Sequence, residues 1–538
     1  MAQTDHTESA AYLARCVRVR IEPCGTSGAA NQIVLTPMKL LVVFLALSSV
    51  LVPDTSFALE TDQYYAWGRP LADSTEAVNA KFNLELERSI ASFPDHTPPG
   101  SCRQVAVAYR KRMRFLLLHE IQVWAWNSEW VARIPDGGDE QRDYRRTNLY
   151  SNHPFIDTGT WMPFTPTIEV AGVRFGTDKL SHLVSSGWTY YGEYRRALSK
   201  GETPEEAERS AVQRGIVEES LVLGGMVSGV VAIPDIEASY AGLLFYRDLC
   251  DTEDPILRLA EDGWVISRPV DLRDYVTPRW DESFQPPVYG RKRWNRVKPV
   301  LEGYCDRLGD PQVVEMRRRY RELDRGSVVG EVVAERVAAD ELEDPAQFGI
   351  EAVCAEVDAS LDGAAKPTDG VETTSARPEG SNLTEDIAKE EADRRRFALG
   401  LVGLHLTYPQ VVSASISVMA TSQPRSYDCT TPCDFRGFFV GLEPGLGGGK
   451  LSLGWARVTG TTNRSGSFVK AAFIGAAYKL TVLRTWGDLG WVDGGRTYAG
   501  VEFGLPVARA NLGLGLLYRT DSGDGGRWLV TGGAGWGF

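Results

Sequence analysis

The chain has no apolar run long enough to cross a bilayer as a helix, so it does not read as a helical membrane protein. It also lacks a basic excess. Its 58 Lys and Arg face 71 Asp and Glu, a net charge of −13, which argues against nucleic acid as a partner. Familiar catalytic signatures are missing or broken. There is no Gly-x-Ser-x-Gly elbow. His119-Glu120 starts like a zinc-protease motif, but Val123 stands where the second His is needed. Gly447–Gly449 with Lys450 invites a phosphate-loop reading. Pro444 replaces its first Gly and Leu451 its Ser or Thr, and the strand patterns on either side make it a turn.

What is present is a globular composition, 43% hydrophobic and 24% charged over 538 residues, long enough for two or three domains. Met38-Lys39 precedes the apolar run Leu40–Leu47 and a polar stretch ending Ser56-Phe57-Ala58. This reads as a secretory signal peptide over 38–58, with small residues at the cleavage positions and a mature start near Leu59. Residues 1–37 then read as a mis-assigned leader. No cysteine follows the cleavage site, which argues against a lipid-anchored protein. The mature chain keeps Cys102, Cys250, Cys305, Cys354, Cys429 and Cys433, an even set that an oxidising compartment turns into disulfides rather than metal ligands. Cys429 with Cys433 is one candidate pair, closing a small loop. Cys250 with Cys305, and Cys102 with Cys354, are further candidates.

Charge divides the chain. Residues 355–393 hold eleven acids against three bases and no aromatic, whereas residues 394–538 hold fifteen bases against eight acids. The acidic stretch is expected to be a disordered linker. Before it, periodicity predicts helices around Arg103–Trp126 and over Asp178–Ser199. Thr203-Pro204-Glu205-Glu206 places an N-cap, a Pro at the first helical position and an acid at the third, so a helix starts there and runs past Glu219. A buried helix is expected over Leu221–Ile233, another over Asp235–Leu249, irregular structure over Asp251–Tyr304, and helix again over Val313–Leu342.

After the linker the period changes to two. Trp528, Val530, Gly532, Ala534 and Trp536 alternate with small residues up to the final Phe538. The same alternation runs through Ala510–Tyr518, Ala499–Val507 and Ala472–Leu480. With Phe397–Leu406, Val412–Met419, Gly437–Glu443 and Lys450–Val458, this makes about eight strands, the smallest closed bacterial barrel if the apolar face meets lipid, or a soluble antiparallel sandwich or barrel if it meets a protein core. The ending, with Trp536 and Phe538, resembles the C-terminal signal of small outer-membrane β-barrels. The bases of this tail, including Arg394-Arg395-Arg396, either meet anionic head groups at the rim or are solvated.

The densest polar pattern is Asp178-Lys179-x-x-His182, then Glu218-Glu219, then Asp235-x-x-Ala238-x-x-x-Gly242. It resembles the VanZ-like and YfiM-type envelope families over about sixty residues. The resemblance implies an envelope location more than an activity; this chain differs in lacking their membrane spans and lipid-attachment cysteine. Asp178 and His182 share a helix face. With Glu219 and Asp235 they form a candidate catalytic or divalent-metal set, or a buried network in which Lys179 neutralises an acid. Trp124, Trp126, Trp130, Trp161, Trp188, Tyr190 and Tyr191 line a glycan- or lipid-binding groove or pack as core.

These readings combine into an α plus β multidomain protein. A mainly helical periplasmic domain over 59–354 is followed by the 355–393 linker and an eight-stranded antiparallel, up-and-down β-barrel over 394–538. The expected location is the cell envelope, in the outer membrane with a periplasmic domain, and the expected partners are outer-membrane lipid and the barrel assembly machinery. The first functional expectation is a barrel that anchors a helical interaction module. The alternatives are a metal- or acid/base-dependent hydrolase at Asp178, His182, Glu219 and Asp235, or a lipid or small-molecule binder. No cofactor is expected beyond a divalent metal at those four residues.

Overall fold

The computed structural model describes residues 61–93, 100–114, 119–151, 164–220, 229–261, 263–358, 382–429, 431–462, 466–486, 493–507, 510–522 and 527–538. The expected leader and signal peptide lie outside them, as do 359–381 of the expected linker, 221–228 of the expected buried helix, and Trp161.

The described part of 61–393 is mainly helical, with helices α1 (Thr75–Ile90), α2 (Cys102–Met113), α3 (Glu120–Asn127) and α4 (Gly138–Thr147). Next, α5 runs over Asp178–Ser181, a π-helical turn His182–Ser186 and Gly187–Ser199. Then come α6 (Pro204–Glu218), α7 (Ile233–Cys250), α8 (Arg291–Glu302), α9 (Pro311–Leu323), α10 (Val328–Ala338), α11 (Ile350–Asp358) and α12 (Leu383–Ala392). Short antiparallel pairs join β1 (Thr167–Val170) to β2 (Val173–Gly176), β3 (Val230–Val231) to β6 (Val288–Tyr289), and β4 (Leu257–Ala260) to β5 (Gly263–Ile266).

The start signal at Thr203 is met: its hydroxyl accepts from Glu206 N–H and the Glu206 carboxylate accepts from Thr203 N–H. Helices α5 and α7 cross backbone to backbone. A Cβ on Gly187 would fall on Gly242, and one on Gly242 would fall on the Leu183 carbonyl, so both positions demand glycine. A Cβ on Gly215 of α6 would likewise collide with the Tyr190 hydroxyl. The three helices that carry the candidate residues are thereby held close around a core containing Leu180, Leu183, Ile236, Leu243, Phe245 and Tyr246. Each such fully buried side chain contributes about 1.5–3 kcal/mol.

Several expectations are corrected. Arg103–Trp126 is two helices, not one. Val230–Val231 is strand, because its partner Val288–Tyr289 supplies ladder bonds that the local pattern does not reveal. Within 251–304 a regular helix forms, α8, with Pro299 tolerated inside it. The disordered-linker reading fails at 382–393: α12 buries Ile387, Arg88 Nη1 lies 2.5 Å from Glu391 Oε2, and Lys81 also pairs with Glu391. Glu391 is thus a counter-ion for two cations of α1 rather than a solvated charge. The disulfides are Cys102–Cys250, Cys305–Cys354 and Cys429–Cys433. The last matches expectation. The first two replace the expected Cys250–Cys305 and Cys102–Cys354 pairs, since the fold brings α2 to the end of α7 and α11 to the turn after α8.

From Arg394 the regular elements among the described residues are all strands: β7 (Arg394–Tyr408), β8 (Val411–Pro424), β9 (Cys433–Pro444), β10 (Gly448–Thr462), β11 (Val469–Thr485), β12 (Thr497–Val507), β13 (Ala510–Arg519) and β14 (Trp528–Gly537). Each pairs antiparallel with the next and β14 closes on β7, giving a closed barrel. One register row runs from Phe438 through Trp455, Tyr478, Phe503, Leu514 and Gly532 to Tyr408. Thr407 pairs with Val411, so Tyr408 stands opposite position 410, whereas Phe438 pairs with Ala420. The circuit is thus staggered by ten residues, 410 to 420, and such a stagger over eight strands tilts them by about 40°.

Barrel polarity is inverted. Inside, Lys450 Nζ lies 3.0 Å from Glu502 Oε1, Thr531 and Thr481 hydroxyls donate to Glu502 at 2.6 and 3.0 Å, and Ser413 donates to Glu443 at 2.8 Å. Outside, Leu404, Leu406, Ile416, Val418, Val440, Leu442, Leu453 and Leu480 are exposed. Trp536 faces out with them. Gly537, at φ +96°, breaks the alternation and turns the Phe538 ring inward, where it is buried against Phe439. The helical body meets the end of the barrel where β7 begins and β14 ends. There Asn127 Nδ2 donates to Pro432 O at 2.7 Å, Arg457 Nη2 lies 3.1 Å from Glu120 Oε2, and Ser426 donates to Glu390 at 2.8 Å.

Candidate functional site

The π-helical turn at His182 inserts where α5 crosses α7, and it carries the imidazole to the Asp235 and Ser239 face of α7. His182 Nε2 lies 3.3 Å from Asp235 Oδ2, and Nδ1 lies 3.4 Å from Ser239 Oγ. Lys179, three residues earlier on the same helix, reaches the other oxygen of Asp235. Its ammonium sits 2.7 Å from each of three carboxylate oxygens, Asp178 Oδ2, Asp235 Oδ1 and Glu282 Oε1. Its side chain has no solvent exposure at all, and those of the three acids have 2–4%. Asp178 Oδ1 accepts from the Thr61 and Thr165 hydroxyls at 3.1 and 2.9 Å. Glu282 Oε2 accepts from the Tyr150 hydroxyl at 3.3 Å.

Burial alone would lower the Lys179 pKa, but the charges of Asp178, Asp235 and Glu282 overcome it and hold the ammonium well above the ordinary lysine value. The Glu282 pKa is raised as well, which for an acid favours the neutral form. Burial raises its pKa against the pull of Lys179, and the neighbouring acids raise it further. Three acids around one base leave surplus negative charge, and a raised Glu282 is how a dry site sheds it.

Glu219, just past the end of α6, completes the set. It is 6% exposed and receives the Ala232 N–H, while its Oε1 has no hydrogen-bond partner among the described residues. Burial first, and then the charge of Asp235, push its pKa up. Glu219, His182, Asp235, Ser239, Ser186 and Tyr190 are among the residues lining a cavity of about 290 Å³. All four sequence candidates therefore converge: Asp178, His182 and Asp235 form one cluster, and Glu219 shares the cavity of the latter two.

Asp178, His182 and Asp235 each offer an atom within 4.8 Å of the others, the spacing of a metal site. The donor set does not fit a metal. The Lys179 ammonium occupies the position between Asp178 and Asp235, and Asp178 Oδ1 already accepts two hydroxyls. What remains facing the cavity is a His–Asp pair beside a carboxyl whose ionisation burial opposes, an arrangement able to accept a proton on one group and supply one from the other.

Sequence reasoning missed Glu282, Thr61, Thr165 and Ser239. Only Ser239 had a signal, standing four residues after Asp235 on one helix face. Of the aromatic set, Trp124, Trp126, Tyr190 and Tyr191 are core. Trp188 is half-buried, edge-on to Tyr246 and covered by Arg103 and Arg110. A larger cleft of about 940 Å³ contains none of the candidates, and its arginines are engaged: Arg133 with Asp136, Arg174 with Glu169, Arg319 with the Gly172 carbonyl. Comparison with known proteins returns no match to any protein-family model, curated protein sequence or solved structure.

Proposed function

We propose that the chain is a cell-envelope protein whose C-terminal barrel lies in an outer membrane and anchors the helical body as a periplasmic interaction module. One observation carries this reading. Of the exposed large hydrophobic side chains among the described residues, twenty-seven belong to 394–538 and five to 61–393. Most of those of the barrel stand on the outward positions of its strands over a polar, ion-paired interior, the polarity that lipid selects and water penalises. A soluble monomer rarely exposes apolar patches beyond about 300–600 Å². The secretory signal read at 38–58, the three disulfides and the resemblance to envelope families support the same location.

The test is electrophoresis of the outer-membrane fraction with and without boiling. A closed barrel in membrane migrates differently until heated. A protein recovered in the soluble fraction with one mobility removes the anchor.

A second reading has its own observation, the unpartnered Oε1 of Glu219 in the cavity beside His182 and Asp235. On this reading the body is an acid–base hydrolase, with Glu219 as the proton donor and Asp235 orienting His182. Infrared spectra at neutral pH then contain a protonated-carboxyl band that Glu219→Gln removes. If the variant's spectrum matches the parent's, Glu219 is ionised and the reading fails.

A further inference from the structure

At the body end of the barrel the outward positions change from apolar to basic within one step of register. Arg396 pairs with Ser422, Thr421 pairs with Gly437 so that Ser422 stands beside Arg436, and Arg436 pairs with Arg457. Four adjacent strands thus present Arg396, Ser422, Arg436 and Arg457 in a row. Arg394 joins them, donating from Nε and Nη2 to Ser422 Oγ at 3.1 Å and Ser422 O at 2.7 Å. Directly opposed like charges destabilise a sheet unless something compensates them. Arg457 is compensated by Asp434 at 2.8 Å and Glu120 at 3.1 Å. Arg396 and Arg436 are exposed and have no ion pair among the described residues, and Asp434, the nearest acid on the Arg436 strand, is already taken by Arg457.

The next outward row, one step toward the apolar belt, reads Ala398, Ala420, Phe438, Trp455 and Tyr478. Phe438, Trp455 and Tyr478 are 70%, 37% and 59% exposed. Along β9 and along β10 an aromatic position, Phe438 or Trp455, is followed by a basic one, Arg436 or Arg457, the order met on leaving hydrocarbon: glycerol level first, phosphate next. Arg396 and Arg436 are two strand spacings apart, about 10 Å, and guanidinium arms of that separation close on one phosphate lying over Ser422.

We propose that Arg396 and Arg436, with Arg394 and Ser422 beneath them, bind the phosphodiester head group of an anionic phospholipid at the body-end rim of the barrel. This rests on the membrane-anchor reading. It adds to that reading a defined lipid site and a depth of immersion, with Phe438 and Trp455 at the glycerol level.

Full-length protein, folded in neutral detergent and shown to be heat-modifiable, is titrated with phosphatidylglycerol, phosphatidylcholine and inorganic phosphate, and bound lipid is read by native mass spectrometry. A basic side chain at this level contributes about fivefold in affinity, so the parent prefers phosphatidylglycerol about tenfold or more. In Arg396→Gln/Arg436→Gln the preference falls to near parity, while Arg484→Gln at the far rim keeps it. A heat-modifiable double variant that retains the preference overturns the site. Displacement of the lipid by inorganic phosphate at equal concentration overturns the lipid as its occupant. Absence of heat modification in the parent overturns the anchor reading and the lipid site with it; a heat-modifiable parent without the lipid preference overturns only the site.

Discussion

The helical body and the barrel solve the burial of polar groups in opposite ways. In the body, charge is a minority inside an apolar core, and Lys179 survives there only because three carboxylates surround it. In the barrel, charge is the interior itself, Lys450 and Glu502 amid Ser and Thr hydroxyls, and the apolar side chains stand outside. The same chain thus holds one fold with an apolar interior and one with an apolar exterior. The two fail under different substitutions.

The largest expected effect is in the body. Lys179→Met removes one cation and leaves Asp178, Asp235 and Glu282 buried together. Breaking such a set costs about 3–5 kcal/mol, read as a lowered urea midpoint of the helical signal with the barrel's heat shift intact. If both transitions move together, the two regions are one cooperative unit and the contrast is wrong. Next comes the barrel. Leu453, exposed between Val440 and Leu480, is mid-belt. Leu453→Arg costs about 2–4 kcal/mol for barrel folding in vesicles if that face meets lipid. A soluble surface would register less than about 0.5 kcal/mol. Helical-body stability stays unchanged either way.

The smallest effect concerns Glu219. Burial raises its folded pKa from the ordinary 4.5 to about 8, so between those values the native state holds a proton that the unfolded state has lost. Stability of the body therefore falls as pH rises through this window, opposite to a salt-bridged carboxylate. Glu219→Gln flattens that part of the profile, measured as the difference in urea midpoint between pH 5 and pH 8. An unchanged slope means Glu219 does not titrate there.

The barrel was the more legible half. Its strands pair with neighbours in sequence, so period-two alternation and turn residues suffice: Phe397–Leu406 was expected where Arg394–Tyr408 is observed, and Ala510–Tyr518 where Ala510–Arg519 is observed. In the body, local signals worked where the cause was local. The Thr203 cap and the helices over Asp178–Ser199 and from Asp235 are in place. The candidate site was half legible. Asp178, His182, Glu219 and Asp235 stand on or at the end of strongly patterned helices, whereas Glu282 lies in a segment rich in Pro, Trp and Asp with no period to read, and Thr61 and Thr165 each stand just before a regular element. The acidic segment misled because composition counts charge without its partners: Glu391 meets Lys81 and Arg88 from α1, some 300 residues earlier, which nothing in 382–393 announces.

By itself the sequence determined the change of period near Arg394, the alternation of an apolar and a small or polar face after it and the starting points of the best-capped helices, because side-chain direction and capping depend on neighbours a few residues away. Tertiary structure alone decided which cysteines pair, that Lys179 sits among the acids, that Phe538 turns inward at Gly537, and that two arginines stand beside Ser422 without an ion pair among the described residues. Each of these depends on the distance between segments far apart in the chain or on a backbone angle set by closure of the barrel, and composition carries neither quantity.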